Sequence, residues 1–458
     1  MNKKIKFFSE YKYLIIFFIL IIIIVIFVFI KSFNSLVKSG IKNNVIIFGQ
    51  SASLTKKNFI LGREYSLGYY LAFNKYNNEN KKYKIKLLIY DDEYNKEITK
   101  KNIELLDNMN GIFAVLGTVG TPTSVNIMDY VIDKNIPLLQ PLTGSNILRK
   151  HYNKNIIHTR PSYYDEIKLI INFIIKNKKK NISILYQNDD FGYSIINDIN
   201  YLLTRKNYIN KINIISTSAY NSTDLILNKS YSELLNIKNP YNINEITKSK
   251  FLKNMDSLII LSGSQHAIQA IKYFKINKPS LFIFTISFTE IFYLKNNIQS
   301  LSSNYLNNIY STEVILINND NQEKLLNDLK KAKKNLFNNI KKDDKSFYDY
   351  ITILKNNKFP PTLIEGYING LFITYIIDQI KDNITRESFI NEIYKIKNLN
   401  IFGYKFGPYK SINECSKVTN NCPCDVGLNK VYLYKYNISK KEYVLINDNY
   451  INTKCKRY

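Results

Sequence analysis

From residue 45 onward the chain alternates two textures. Short unbroken apolar runs at 45–48, 85–90, 113–116, 182–186, 258–261 and 281–284 are separated by polar turns and longer amphipathic stretches. A run that is apolar at every position, instead of every second one, fits a strand covered on both faces. The intervening stretches carry apolar residues at helical spacing. Ile167, Ile170, Ile171 and Ile174 form one face, Ala267, Ala270, Ile271 and Phe274 a second, and Val125, Met128 and Ile132 a third. Alternating strand and helix predict an α/β protein built on parallel sheets. The repeat is too long for one open sheet, so two lobes are expected. Residues 363–377 add an apolar helix that contains Glu365 and therefore reads as buried in protein. Its Gly366 and Gly370 permit close helix packing.

The N-terminal stretch breaks this pattern. Residues 14–30, LIIFFILIIIIVIFVFI, contain no charge and no helix breaker, and as a helix they span about 25 Å, close to the hydrocarbon thickness of a bilayer. Lys3, Lys4, Lys6 and Lys12 precede the run and favour an N-terminus held in the cytoplasm. A cleaved signal peptide is the other reading. Against it stand the length of the run and the absence of small cleavage-site residues in the following KSFNSLVKSG. In both readings residues 40–458 lie outside the cytoplasmic membrane. The expectation is a single-pass signal-anchor with an extracytoplasmic body, periplasmic or at the cell surface.

Composition narrows the function. Of 458 residues, 45% are hydrophobic and 22% charged, as in a folded protein. The net charge of +27 raises nucleic acid as a partner. The lysines are scattered, however, Lys far outnumbers Arg, and no nucleic-acid-binding motif is present, so no nucleic-acid partner is expected. A cationic surface suits anionic lipid headgroups equally well. There is no Walker loop, G-x-S-x-G elbow or H-E-x-x-H, and His151, His158 and His266 are dispersed. Asp189-Asp190 has no accompanying nucleophile. The acids of YDDEY at 90–94 come from one segment, whereas metal ligands converge from several. Neither an enzyme, a cofactor nor a metal is expected.

Ligands in open α/β sheets bind at the carboxyl ends of strands. After residue 116 comes Gly117-Thr-Val-Gly-Thr-Pro-Thr-Ser124, where glycines allow close backbone approach. Thr121, Thr123 and Ser124 can cap a helix around Pro122, and the N–H groups of that helix start suit a carboxylate. After residue 139 comes Gln140-Pro-Leu-Thr-Gly-Ser-Asn146, a second loop of small hydroxyl residues. Two such loops side by side suit a small polar ligand.

These loops and their surroundings resemble the type 1 periplasmic-binding-protein superfamily, and within it the branched-chain amino acid (Leu/Ile/Val)-type substrate-binding proteins of ABC transporters. The stretches that carry the likeness are IIFGQSASLTKKNFILGREYSLGYYLAFNKYN, LLIYDDEYNKE, VLGTVGTPTSVNIMDYVIDKNIPLLQPLTGSNILR, HTRPSYYDEI, SILYQNDDFGYS, TISFTE and LIEGYINGLFITYIIDQI, in that order over residues 45–410. The resemblance implies two Rossmann-like lobes joined by three crossings, closing by hinge motion over a small-molecule ligand delivered to ABC permease subunits. By analogy lobe 1 takes residues 44–161 and 308–398, and lobe 2 takes 162–307 and 399–446. Residues 1–43 hold the cytoplasmic N-terminus, anchor and linker, 411–428 a Cys-containing insertion, and 447–458 a tail.

The resemblance also implies a site. An amino acid's carboxylate would rest on Val119, Gly120 and Thr121. Its ammonium would meet Leu142 and Gly144, with Thr143 and Ser145 as hydroxyls. Phe191 would close over the ligand from lobe 2, joined by Gly263 and Ser264 in the loop Ser262-Gly-Ser-Gln265. Amino-acid-selective members place a carboxylate where Phe288 stands, with Glu290 two residues on. An unpaired buried ammonium is costly, so a carboxylate, amide or urea-like solute stands beside an amino acid. The same fold without transport, as a membrane-anchored sensing module, is the alternative to uptake.

Cys415, Cys422, Cys424 and Cys455 crowd the last tenth of the chain. Outside the cytoplasm four thiols favour disulfides, with a zinc knuckle as the alternative. Cys422 and Cys424 are too close to pair easily with each other, so Cys415 and Cys455 are the available partners. Intact mass measured with and without reductant separates the two readings: disulfides give a mass gain on reduction, and a zinc site gives none.

Overall fold

In the computed structural model, which describes residues 16–26, 40–149, 153–316, 322–339, 353, 359–409 and 427–450, the alternation resolves into two sheets. The first lobe runs β1 (Ile41–Lys42), β2 (Val45–Ala52), α1 (Phe59–Asn77), β3 (Lys84–Asp91), α2 (Lys96–Asn110), β4 (Ala114–Leu116), α3 (Thr121–Asn126), α4 (Met128–Asp133), β5 (Leu138–Leu139) and β6 (Ile156–Ile157). Strands lie in the order β3-β2-β4-β5-β6, all parallel, with β1 folded back antiparallel on β2. The second lobe repeats the theme with α5 (Tyr163–Lys176), β7 (Asn181–Gln187), α6 (Asp190–Leu203), β8 (Asn213–Tyr220), α7 (Asn228–Leu235), α8 (Ile243–Lys248), α9 (Lys250–Asn254), β9 (Ser257–Leu261), α10 (Ser264–Asn277), β10 (Phe282–Thr285), α11 (Ile291–Ile298) and β11 (Ile309–Glu313). Its parallel strands follow the same order, β8-β7-β9-β10-β11.

The chain then returns to the first lobe with α12 (Glu323–Asn339), α13 (Pro361–Gln379) and α14 (Arg386–Lys395). Lys75 of α1 pairs with Asp328 of α12 at 2.7 Å, and Phe113 meets Phe389 of α14 edge to face at 5.5 Å. A short hairpin, β12 (Leu399–Ile401) and β13 (Tyr404–Phe406), precedes β14 (Lys430–Asn437) and β15 (Glu442–Tyr450), which extend the second sheet antiparallel beside β11. The chain therefore crosses between lobes after β6, after β11 and after α14.

Every strand expected from the apolar runs is present. The faces on α5 and α10 are fully buried, because their isoleucines and alanines point into the two cores. The third face is corrected. The helix breaks at Ile127, so Ile127 and Val131 turn inward while Ile132 is exposed. The lobe boundary also moves. Strand β11 bonds to β10, so the second crossing follows Glu313 instead of falling at 307/308, and β15 carries strand structure past residue 446. Residues 16–26 are helical with exposed side chains, and among the described residues no helix is long and apolar enough to cross a membrane. The rest of the 14–30 run, the four cysteines and residues 410–426 and 451–458 lie outside the described residues.

Helices α1 and α13 pack backbone to backbone. A Cβ on Gly68 would lie 2.4 Å from the Leu363 carbonyl oxygen, and one on Gly366 would lie 2.3 Å from that of Tyr65. The G-x-x-x-G spacing thus serves close packing inside a lobe, as its sequence context implied. Gly68→Ala must push the helices apart, and we expect a loss of about 1–3 kcal/mol, read as a lower urea midpoint. An unchanged midpoint would show that the two helices part freely.

Candidate functional site

In both sheets the strand order reverses beside the first strand, which opens a crevice at the carboxyl ends of β2 and β4 in lobe 1 and of β7 and β9 in lobe 2. The two crevices face each other. Gly117 (φ 49°) and Gly120 (φ 101°) make the turn after β4, and a side chain at either would collide with Tyr65 or Tyr94 respectively. The loop after β5 runs alongside. Val119 and Leu142 form a parallel bridge, in which Leu142 N–H donates to the Thr118 carbonyl at 2.8 Å and Gly120 N–H donates to the Leu142 carbonyl at 3.2 Å.

This pairing brings the Thr121 and Thr143 hydroxyls to 2.8 Å from each other, both fully buried. The expected capping does not occur. Thr123 donates to the Val119 carbonyl at 2.6 Å and Ser124 to that of Gly120 at 2.6 Å, so the hydroxyls tie down the loop and do not cap α3. Gln140 braces the second loop from below. Its carbonyl accepts from the Tyr65 hydroxyl at 2.8 Å, its side-chain oxygen accepts from Tyr69 at 2.8 Å, and its amide donates to the Asn369 carbonyl at 3.2 Å.

Aromatic rings complete a closed circuit through both lobes. Tyr163, whose backbone presses on Gly144, meets Phe191 edge to face at 5.4 Å. Phe191 lies 4.8 Å from Phe288, and Phe288 lies 6.3 Å from Tyr94, which covers Gly120. Val119, Gly120, Thr121, Leu142, Thr143, Gly144, Phe191 and Phe288 therefore belong to one buried circuit. Ser145 touches it through its backbone: its N–H donates to the Thr143 hydroxyl at 3.1 Å, while its own hydroxyl accepts from Ile147 N–H at 3.2 Å. Gly263 and Ser264 sit at a neighbouring seam, on a cavity of about 30 Å³ lined also by Lys57, Asn58, Gln187 and Ser222. That is room for about one water. Lys57 of lobe 1 reaches Ser222 of lobe 2 across it at 3.1 Å. A second link joins Asn146 to Asp198 at 2.8 Å.

The acids of YDDEY shape loops. Burial opposes ionisation of Asp91, but hydrogen bonds from Thr55, Leu54 and Glu93 outweigh it and hold the carboxyl below its usual range. Burial pushes Asp92 up to about 6 despite bonds from Tyr94, Ser51 and Thr99. Asp189 caps α6 through the Phe191 and Gly192 N–H groups at 3.0 and 3.3 Å. Tyr94 and Tyr163 belong to the circuit yet were not singled out from sequence. Their only signal was position: each stands inside a segment the resemblance already covers.

Two facing Rossmann-like lobes with matching strand orders, joined by these crossings, define a periplasmic-binding-protein fold of type 1. Residues 54–220 match the family model described as periplasmic binding protein. A possible leucine/isoleucine/valine-binding protein from Rhodopirellula baltica superposes with a TM-score of 0.66 at 18% identity, covering 89% of this chain and 97% of the other. A branched-chain amino acid ABC transporter protein from Thermus thermophilus with bound valine gives 0.63 at 13%, over 89% and 97%. A fatty acid ABC transporter substrate-binding protein from Thermomonospora curvata gives 0.67 at 12%, over 89% and 92%. At these identities the likeness is one of fold. No curated protein matches in sequence.

Gly120→Ala places a methyl group 2.4 Å from the Tyr94 ring on a left-handed backbone. We expect a loss of about 1–3 kcal/mol with displacement of Tyr94, visible as altered near-ultraviolet tyrosine dichroism. An unchanged spectrum and midpoint would remove Tyr94 from the circuit.

Proposed function

We propose that the chain is an extracytoplasmic solute-binding protein that captures a small polar ligand between its lobes by cleft closure and passes it to an ABC permease. The observation that carries this reading is the buried circuit itself. Paired threonine hydroxyls and a glycine-lined turn from lobe 1 meet two phenylalanines from lobe 2 at the carboxyl ends of both sheets. Hydroxyls and close-approaching backbone suit a carboxylate or amide, and aromatic rings cover an apolar portion. Phe288 in the place of a carboxylate favours a ligand whose polarity is not dominated by an ammonium. The relatives named above, described as binding amino acids or fatty acids, fit a carboxylate-bearing solute. Thr121, Thr143 and the Gly120 and Gly144 backbone would hold its polar end, while Phe191 and Phe288 would close over the rest.

The apolar run at 14–30 supports a second reading, a receptor module of the same fold that stays tethered and signals to another membrane protein. A neighbouring permease and ATPase gene pair would support uptake. A neighbouring histidine kinase or chemoreceptor gene would support sensing.

Mass spectrometry of small molecules released from the purified chain should return a carboxylate- or amide-bearing solute. Thr121→Ala should then weaken its binding by about 1.5–3 kcal/mol, at least tenfold in Kd, if a charged oxygen loses its hydroxyl donor. Equal affinity by calorimetry would take Thr121 out of the site.

A further inference from the structure

Where the crossings after β6 and β11 leave their sheets, the interior is ionic. Glu64 of α1, Glu166 of α5, Glu290 ahead of α11, Glu313 at the end of β11, Glu365 of α13 and Arg160 of the first crossing are all buried, each at most 5% exposed. Some are well partnered. Glu166 accepts from Ser287 N–H at 2.9 Å, from the Ser287 hydroxyl at 2.8 Å and from the Thr312 hydroxyl. Arg160 donates to Ser287 at 2.8 Å and stands 3.4 Å from Glu365. Glu290 accepts from Phe292 N–H at 3.0 Å and from Tyr293 N–H.

Glu64 and Glu313 are not so served. Glu64 Oε2 and Glu313 Oε1 are buried without a hydrogen-bond partner; Glu365 Oε1 also lacks one but has the Arg160 guanidinium at 3.4 Å to offset its charge. Glu64 faces Glu290 and Glu313. Glu313 faces Glu290, Glu166, Glu365 and Arg160, with Tyr443 of β15 beside it. Lys295 offsets part of the burial of Glu290, and the Tyr65 and Tyr163 hydroxyls flank Arg160. Five carboxyl groups thus share this interior with one guanidinium, and Glu64 and Glu290 come from opposite lobes. Among the described residues no acidic group converges as metal ligands do.

We propose that closing the lobes loads protons onto the Glu64–Glu290–Glu313 cluster, so that acid favours the closed clamp and alkali opens it. The inference rests on the hinged reading above, though not on which solute is bound. Burial, then repulsion from neighbouring carboxylates, raises Glu64 and Glu313 well above the usual carboxyl range, and burial brings Glu290 up to about 7. On opening, Glu64 and Glu290 part and meet water, where a glutamate titrates near about 4.3. The closed form therefore binds more protons than the open form across the interval between. Its advantage is fully present below the hydrated value and is lost as pH rises through about 7 and above, by up to about tenfold in the closed-to-open ratio per pH unit for each proton linked.

The test uses the full chain in detergent without added solute, with spin-label amino acids at the exposed positions Lys101 and Lys206, one on each lobe. Pulsed dipolar distances are recorded between about pH 5 and pH 9. We expect a short and a long distance population, with the short one giving way as pH rises. The double variant Glu64→Gln and Glu313→Gln should stay closed with a flattened profile, while Glu97→Gln, an exposed acid, should keep the native slope. Asp198, also raised to about 7 by burial, sits at the Asn146 link. If Asp198→Asn alone flattens the profile, the proton belongs to that seam and the assignment to the cluster is wrong. Two populations in a constant ratio overturn the proton linkage and leave the clamp standing. A single population at every pH overturns both.

Discussion

The approach of helix α1 to helix α13 sets the position of everything at the cleft. Glycines at 62, 68, 366 and 370 bring these backbones, and the loop after β2, to contact distances that no side chain would permit. Because the helices lie so close, Tyr65 and Tyr69 on one and Asn369 on the other reach a common point beneath the sheet ends. There they hold Gln140, a non-glycine residue at φ 57°, in a left-handed conformation. Gln140 in turn fixes the loop that carries Thr143. Such a conformation persists only where its surroundings over-determine it, and three separate hydrogen bonds do so here. The threonine pair at the cleft is thus the last link of a chain that begins with helix packing.

The two sides of the inter-lobe contact are built differently. At the aromatic circuit, rings from both lobes meet in an apolar seam that is continuous with the main hydrophobic core. At the crossings, buried carboxyl groups outnumber the cation available to them. Burying charge costs several kcal/mol per ion unless the partners are well arranged, and Glu64 and Glu313 lack such partners. In the proposed clamp the apolar side favours closure at any pH, whereas the ionic side ties closure to protonation. Such a division suits the proposed hinge, since a wholly apolar interface would hold the lobes together.

Much of the fold was legible in the chain. The apolar runs located the strands because a strand buried on both faces excludes polar residues locally, and the isoleucine face of α5 and the Ala267–Phe274 face of α10 followed from 3.6-residue spacing alone. The face at Val125, Met128 and Ile132 failed because a break at Ile127 rotates the second short helix, a detail that spacing does not carry. Strand β11 was assigned to the wrong lobe because its pairing with β10 is a long-range choice.

The site divides in the same way. Sequence alone determined that glycine- and hydroxyl-rich loops follow β4 and β5, since those residue types are needed wherever backbone must turn sharply at a strand end. The family resemblance, not the local pattern, pointed to Phe191 in the second lobe. Only the tertiary structure decided that Thr121 faces Thr143 instead of capping its own helix, that the Ser145 N–H supports the Thr143 hydroxyl, and that Tyr94 and Tyr163 close the circuit. It alone gathered glutamates from positions 64, 166, 290, 313 and 365 around one arginine. The reason is distance along the chain: local patterning fixes which face of an element is apolar, but which polar groups meet across two lobes depends on how those elements are finally stacked.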